Sequence, residues 1–486
     1  LKLILGASAV LTGWLAWRSV SWPLVHDAPL MHYIAWLWSL GAVPYRDAFD
    51  MNFPGVYLIH RAVLAAGGAG DLAWRLFDLG WLLATCALLW AYCRPVAGWL
   101  AGAWAALLFA CYHLAGGAWR AGQRDFLLGL FLLAGALAVA RWAERGSLAA
   151  LLGAGLALGA GMTVKPHAGL FWLGCAALAA WTGRRSGRSA AAAGTVLGAG
   201  LAAPAALFGW LGLQGGLRPF LEILTGYVLP LYSQVGRVPA WQALSWHRYG
   251  WALWGLLAAL GLLALLAPTP PEVSVRKWIA ALGAAYGLVH FVLQGKGWEY
   301  QLYPAALFLS ALAAVAVSAA PARGASAAGR PVAVALSAAL VLVLGLKGAE
   351  AVDAPWIAEK ARRVAAVERD LKPLVPPGAT VQVLDVTGGG IHALLRLGLR
   401  QPTRFIYDFH FFHHAADPRI QALREEFARG FEAGRPAAVV VFRDTWNRPG
   451  YGRLDELGRV TALLARDYRL AVEGDGYRIY AKRSGP

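Results

Sequence analysis

From residue 3 to about residue 350 the chain alternates long apolar runs with short polar connections, and beyond that point the alternation stops. Apolar runs lie at roughly 3–19, 72–93, 96–114, 125–143, 147–164, 167–182, 190–213, 250–267, 277–294, 303–320 and 331–349. A helix rising about 1.5 Å per residue crosses a bilayer in about 20 residues, so each run is of the order needed. Pro166 either separates the two runs around Lys165 or kinks a single one. In the tail the period shortens. Val381–Val386 reads as a strand, followed by Gly388-Gly389-Gly390 and a helix to about 398. Arg404–Tyr407 reads as a short strand, 417–432 as a helix and Ala437–Phe442 as a buried strand. A helix over 453–466 and a hairpin of 468–474 with 477–482 around Asp475-Gly476 complete it. The pattern predicts a polytopic α-helical membrane protein of about eleven transmembrane helices, residues 1–349, with a small C-terminal α/β domain, residues 350–486.

Composition agrees. Of 486 residues, 58% are hydrophobic and 15% charged, against about a quarter charged in a soluble domain. The net charge of +17 suggests nucleic acid, but the cations sit in short clusters between apolar runs. Arg94, then Arg141 and Arg145, then Arg184, Arg185 and Arg188, then Arg276 and Lys277, then Arg323 and Arg330 fall, with Lys2, on one side. That side is cytoplasmic by the positive-inside rule, which places the tail and the loops 20–71 and 214–249 outside. Cys86, Cys93, Cys111 and Cys175 lie in or beside apolar runs without metal-ligand spacing, so they read as packing residues. Leu1-Lys2 opens directly into an apolar run with no small-residue cleavage site, which reads as a first membrane helix rather than a removable leader.

The first outer loop concentrates chemistry. Asp27 stands where a helix N-cap would, with Pro29 in the first turn and Gly41 as the stop. Capping accounts for Asp27 alone. Asp47 and Asp50 follow in the same aromatic loop, and a carboxylate in a membrane-facing cleft is a natural general base. Cations also gather on this outer side, against the positive-inside trend: Arg120, Arg124, Lys165, Arg237, His247, Arg248 and Lys296. Anchoring or local ion pairing explains any one of them. Several together point to a buried anion such as a lipid phosphate. In Gly295-Lys296-Gly297-Trp298 two glycines permit close backbone approach, Lys296 supplies a point charge, and Trp298 and Tyr300 offer stacking faces. His410, His413 and His414 allow either metal ligation or, with their interleaved phenylalanines, a docking surface.

The chain resembles the GT-C superfamily of membrane glycosyltransferases, which includes protein O-mannosyltransferases and aminoarabinose transferases. The resemblance is carried by His26-Asp27, the helix after it, Gly41…Pro44-Tyr45-Arg46-Asp47…Asp50…Pro54, and Lys296-Gly297-Trp298-Glu299-Tyr300…Pro304. It implies a bacterial inner-membrane enzyme with an extracytoplasmic active site and tail. Such an enzyme moves a sugar, with inversion, from a polyprenyl-phosphate donor to an outer lipid, glycan or protein acceptor. Asp27 is then the base. Asp47, Asp50, Tyr45, His26, Trp298, Glu299 and Tyr300 contact substrate, and Lys296, Arg124, Lys165 and Arg120 hold the lipid phosphate. Many members carry two adjacent acids at the first position, whereas Ala28 follows Asp27 here. A divalent metal is therefore compatible with the sequence but not required by it, and no cofactor and no nucleic-acid partner is expected. The alternatives are a transporter or flippase of a lipid-linked or anionic substrate, for which Asp78 and His290 are the mid-span charges, a polymerase or ligase of another membrane fold, and a non-catalytic scaffold.

Overall fold

The computed structural model describes residues 1–318, 329–446 and 448–483; the side chain of Arg185 is set aside. Arg323 and the end of the 303–320 run lie outside the described residues. In chain order the helices begin with α1 (Lys2–Ser19), α2 (Asp27–Ser39), α3 (Gly55–Gly67), α4 (Asp71–Leu114), α5 (Arg124–Arg145), α6 (Leu148–Val164), α7 (Ala168–Gly183) and α8 (Ser189–Leu213). They continue with α9 (Leu217–Ile223), α10 (Ala240–Ser245), α11 (Gly250–Leu266), α12 (Ser274–Gln294), α13 (Tyr303–Ser318), α14 (Gly329–Ala351) and α15 (Pro355–Leu371). The tail then runs β1 (Val381–Leu384), α16 (Gly390–Leu397), α17 (Pro418–Gly434), β2 (Ala438–Phe442), α18 (Gly458–Asp467), β3 (Tyr468–Gly474) and β4 (Tyr477–Lys482).

Two compact units emerge. One comprises residues 1–21, 75–207 and 236–354, the other 22–74, 208–235 and 355–486. In the first, several helices are long and apolar enough to cross a membrane, among them α4, α5 and α14, and α6, α7 and α11 are shorter apolar helices. Leu83, Leu173, Leu262 and Leu342 lie exposed on these helices, as hydrocarbon rather than water would require. The runs 72–93 and 96–114 are merged in α4, which contains Pro95 and turns non-helical at Gly98 (φ 78°). Pro166 separates α6 from α7 rather than kinking one span.

Contacts within this unit group the helix ends as the charges do. Arg276, opening α12, donates to both Glu144 carboxylate oxygens near the end of α5 and to the Tyr92 carbonyl in α4. Lys277 donates to the Ala267 carbonyl after α11, and Arg188 to the Gly146 carbonyl between α5 and α6. Most of the loops assigned to the basic side therefore meet one another.

In the second unit a four-stranded sheet has the order β1-β2-β4-β3, with β1–β2 parallel and the other pairs antiparallel. Every residue of β1 and β2 is buried, and β2 is the continuous Ala-Val-Val-Val-Phe run that a strand covered on both faces needs. Gly476 (φ 79°) makes the expected hairpin turn. Arg404–Tyr407 is not a strand; a single bridge links Phe405 to Phe49. Side-chain amides take the place of pairing beside β1: Gln401 Oε1 accepts the Val383 N–H at 2.7 Å, and Gln382 Nε2 reaches the Phe405 carbonyl at 3.3 Å. Helix α15 was not expected. Its buried Ile357, Val364, Val367 and Leu371 recur at helical spacing among charged residues.

Candidate active site

The first loop is described within the second unit. Asp27 is the first residue of α2, not its cap; His26 holds the cap position in a strained conformation (φ 53°, ψ −116°), and no side-chain cap bond forms. The capping account of Asp27 is corrected accordingly, and Gly41 (φ 95°) follows the helix as its stop. The His26 ring lies 5.3 Å from the Trp356 ring of α15. One turn further along α15, the buried Lys360 feels the charge of Asp385 first and that of Asp27 least. Burial first, and the Lys360 charge second, hold His26 well below 6.5, so its imidazole is neutral at pH 7.

The other two loop carboxylates are differently placed. Asp47 Oδ2 accepts the Val43 N–H at 2.8 Å, and Arg46 grips both its oxygens at 3.0 and 2.7 Å. The Arg46 hydrogen bonds hold its carboxyl below the ordinary value. A cavity of about 340 Å³ opens beside it, lined also by Tyr33, Arg400 and Gln401. Asp50 is buried, 2% exposed. It accepts from the Met51 N–H at 2.8 Å, Asn52 Nδ2 at 2.8 Å, Tyr407 Oη at 2.5 Å and Tyr57 Oη. Tyr45, at φ 70°, donates to the Asn52 carbonyl at 2.6 Å. Asp50 and Tyr45 thus knit the loop together and to Tyr407.

The remaining candidates belong to the first unit. Lys296 lies in a turn between Gly295 (φ 62°) and Gly297 (φ 71°) after α12. A Cβ on Gly295 would stand 3.0 Å from the Arg237 guanidinium, and the Gly295 carbonyl accepts the Val238 N–H at 2.8 Å. Burial first, and Arg237 second, pull the Lys296 ammonium down to about 8. A cavity of about 350 Å³ adjoins, lined by Arg237, Phe291, Val292, Gly295 and Gly297 among others. Trp298 and Tyr300 lie against each other, ring centroids 5.5 Å apart.

Glu299 turns inward to two cations, Arg120 at 2.5 Å and Lys347 at 2.8 Å. Arg120 also donates to the Tyr112 carbonyl at 2.8 Å and sits over the Tyr112 ring at 4.1 Å. Lys165 is 3.1 Å from Asp125 and donates to Gln294 Oε1 at 2.6 Å, while His290 Nε2 meets the other Asp125 oxygen at 2.6 Å. Arg124, the first residue of α5, contributes charge to the same carboxylate. Arg120 and Lys165 are therefore committed to buried carboxylates, counter-ions that the sequence alone did not pair with them. In the second unit, His410 and His413 both meet the Tyr227 hydroxyl, at 2.7 and 2.8 Å, within an aromatic cluster. Among the described residues no three His, Cys, Asp or Glu side chains gather as a metal-holding group.

The class of protein follows from the fold. ArnT from Cupriavidus metallidurans bound to undecaprenyl phosphate superposes with a TM-score of 0.64 at 13% identity, covering 100% of this chain and 99% of its own. The same protein in the apo state gives 0.61 at 13% identity, covering 100% and 98%. This is an integral membrane protein with that fold, and the GT-C resemblance read from the sequence is borne out. A family model described as dolichyl-phosphate-mannose-protein mannosyltransferase matches residues 52–210. The match begins two residues after Asp50 and takes in Arg120, Arg124 and Lys165. No curated protein matches the chain.

Proposed function

We propose that this protein is a membrane glycosyltransferase that moves a sugar from a polyprenyl-phosphate donor to an acceptor at the extracytoplasmic face of a bacterial inner membrane. The observation that carries the reading is Asp27: a half-buried carboxylate that opens α2 shortly after the first helix, in the segment on which Trp356 of α15 packs. The family match, and the bound undecaprenyl phosphate of the similar ArnT structure, support the donor class. The basic loops 94, 141–145, 184–188 and 276–277 face the cytoplasm and about eleven helices cross, the shorter apolar ones included. The 355–486 segment then lies outside and shapes access for the acceptor.

In this mechanism Asp27 takes the proton of an acceptor hydroxyl. The oxygen bonds to the anomeric carbon from the face opposite the phosphate, the C1–O bond breaks, and the lipid phosphate leaves with the electron pair. The sugar is delivered with inversion. Lys296 and Arg237 neutralise the departing phosphate, and Arg124 assists. Trp298 and Tyr300 present stacking faces to the donor, while Asp47 offers a polar partner to the acceptor. Glu299 holds Arg120 and Lys347, and Asp50 ties the first loop to Tyr57 and Tyr407. The lone Asp27, with Ala28 beside it, supplies one carboxylate only, so the transfer does not require a resident metal. The transporter reading rests on Asp78 and His290. Asp78 is occupied by Arg75, by His113 at 2.9 Å and by the Gly122 N–H at 2.8 Å, and His290 by Asp125, arrangements suited to holding helices together.

The test is release of polyprenyl phosphate from a panel of labelled polyprenyl-phosphate sugars by purified protein in lipid, with outer-envelope lipids and glycans as acceptors. One donor turning over with stoichiometric sugar transfer is expected. No release from any donor, together with movement of a lipid-linked sugar across vesicles, would replace the enzyme with a transporter.

A further inference from the structure

The tail carries a cavity that shares no residue with the first loop. Strand β4 alternates: Tyr477, Ile479 and Ala481 are buried, while Arg478 and Tyr480, half-buried, share the other face. On one side Arg478 and Tyr480 pair with Val441 and Val439 of β2, both 0% exposed. On the other they pair with Glu473 and Leu470 of β3, the edge strand. The cover over β2 therefore stops short of the outer two strands. The gap is a trough of about 530 Å³, inside the range of about 300–1,000 Å³ usual for ligand sites. Helix α18 and the 3-10 turn Tyr451–Leu457 form its walls. The polar groups of the trough are partly fixed in advance. The Arg478 guanidinium lies over the Tyr451 ring at 4.2 Å, and Nε and Nη2 donate to Glu473 Oε1 at 2.9 and 2.6 Å. Arg483, just beyond β4, donates from Nε to the Tyr468 carbonyl at 3.0 Å. A guanidinium has five N–H donors, so both arginines keep donors to spare. Arg469 and Asp455 complete the charged lining. Three arginines thus stand against one carboxylate, and Glu473 offsets Arg478 alone. Among the described residues that line the trough, only Leu470 is a large exposed apolar side chain, which is poor support for a lipid chain.

A sugar ring has an apolar C–H face and a rim of hydroxyls. A tyrosine ring suits the first, and planar guanidinium and carboxylate groups suit the second. An excess of arginine favours a chain whose sugars carry carboxylate or phosphate. We propose that this trough is a binding site for an acidic oligosaccharide and that it holds the sugar chain of the acceptor. Tyr480 supplies the stacking face, Arg478, Arg469 and Arg483 take the acidic groups, and Asp455 accepts from hydroxyls. Binding follows from the trough by itself; its service to the acceptor rests on the glycosyltransferase reading.

The experiment titrates the full-length protein in lipid nanodiscs with a hexuronate oligosaccharide, a neutral malto-oligosaccharide of equal length and a polyglutamate peptide. Wild type and Asp27→Asn are expected to bind the hexuronate alike, and the other two probes about tenfold more weakly or worse. Arg478→Gln and Tyr480→Leu are each expected to weaken hexuronate binding by about tenfold. If Arg478→Gln melts below the assay temperature, Arg483→Gln, whose side chain is exposed, is measured with the same expectation. No hexuronate binding, or wild-type affinity in the folded variants, overturns the site. Equal affinity for the malto-oligosaccharide overturns the acidic class, and equal affinity for polyglutamate overturns sugar recognition. With a hexuronate-bearing glycan as acceptor, the same variants are expected to raise acceptor KM by about tenfold with kcat and donor KM unchanged. A wild-type acceptor KM in them overturns the service to the acceptor. Hexuronate binding without transfer from any donor overturns the enzyme reading and leaves the site standing.

Discussion

Lys296 carries its proton at neutral pH and loses it as pH rises through about 8, because burial and Arg237 both disfavour the charge. A lipid phosphate binds the protonated form, so attraction is complete below that value and fades above it. The kcat/KM for donor, which reports the free enzyme, is expected to fall as pH passes about 8. In Lys296→Met it should be low and flat across that range, and in Lys296→Arg high and flat. A basic limb that survives in Lys296→Arg would assign the titration elsewhere. Neither pKa nor partner could be read from Gly-Lys-Gly-Trp; the glycines indicated a close approach, but Arg237 arrives from 58 residues upstream. Separation in sequence likewise hid the pairing of Arg120 with Glu299 and of Lys165 with Asp125. At this scale also belongs the metal prediction: with one carboxylate at the base position, EDTA should leave turnover unchanged, and restoration of a chelated enzyme by a divalent cation would contradict it.

The turn around Lys296 decides whether that charge is held in place. Gly297 adopts φ 71°, and a Cβ there would sit 2.5 Å from Val238 Cγ2 and 2.8 Å from the Ala243 Cβ. Gly297→Ala therefore meets both a backbone cost of about 1–2 kcal/mol and a clash with the 236–245 segment. It is expected to lower the melting temperature and raise donor KM. Gly255→Ala in α11, where nothing lies within 4 Å, is the control and should leave both unchanged or raise stability. A Gly297→Ala protein with wild-type KM would show that the turn does not position the donor. Elements with a strong period were legible beforehand, the hairpin and β2 among them, whereas Pro166 left open whether α6 and α7 are one helix or two. The short strand expected at Arg404–Tyr407 failed because Gln382 and Gln401 satisfy the edge of β1 through side chains, which no periodicity records. Helix α15 went unread because its apolar positions are diluted by Glu359, Lys360, Arg362 and Arg363, although their spacing was there to count.

For the molecule as a whole, apolar length and loop charge were enough to indicate a helical membrane protein with an α/β tail, since both follow from local composition. Its division into units was not legible. Residues 22–74 and 208–235 join 355–486 in one compact body, a long-range pairing built from contacts such as Tyr407 with Asp50 and His413 with Tyr227. That pairing changes the meaning of the tail, because it brings α15 onto the His26-Asp27 segment.

The most direct test of the central claim is sugar transfer by Asp27→Asn in lipid, with donor binding measured on the same preparation. Removal of a general base is expected to lower kcat by about 10²–10⁴-fold while donor binding and the melting temperature stay at wild-type values. Equal turnover in the variant and the wild type would contradict the account and remove Asp27 from the chemistry.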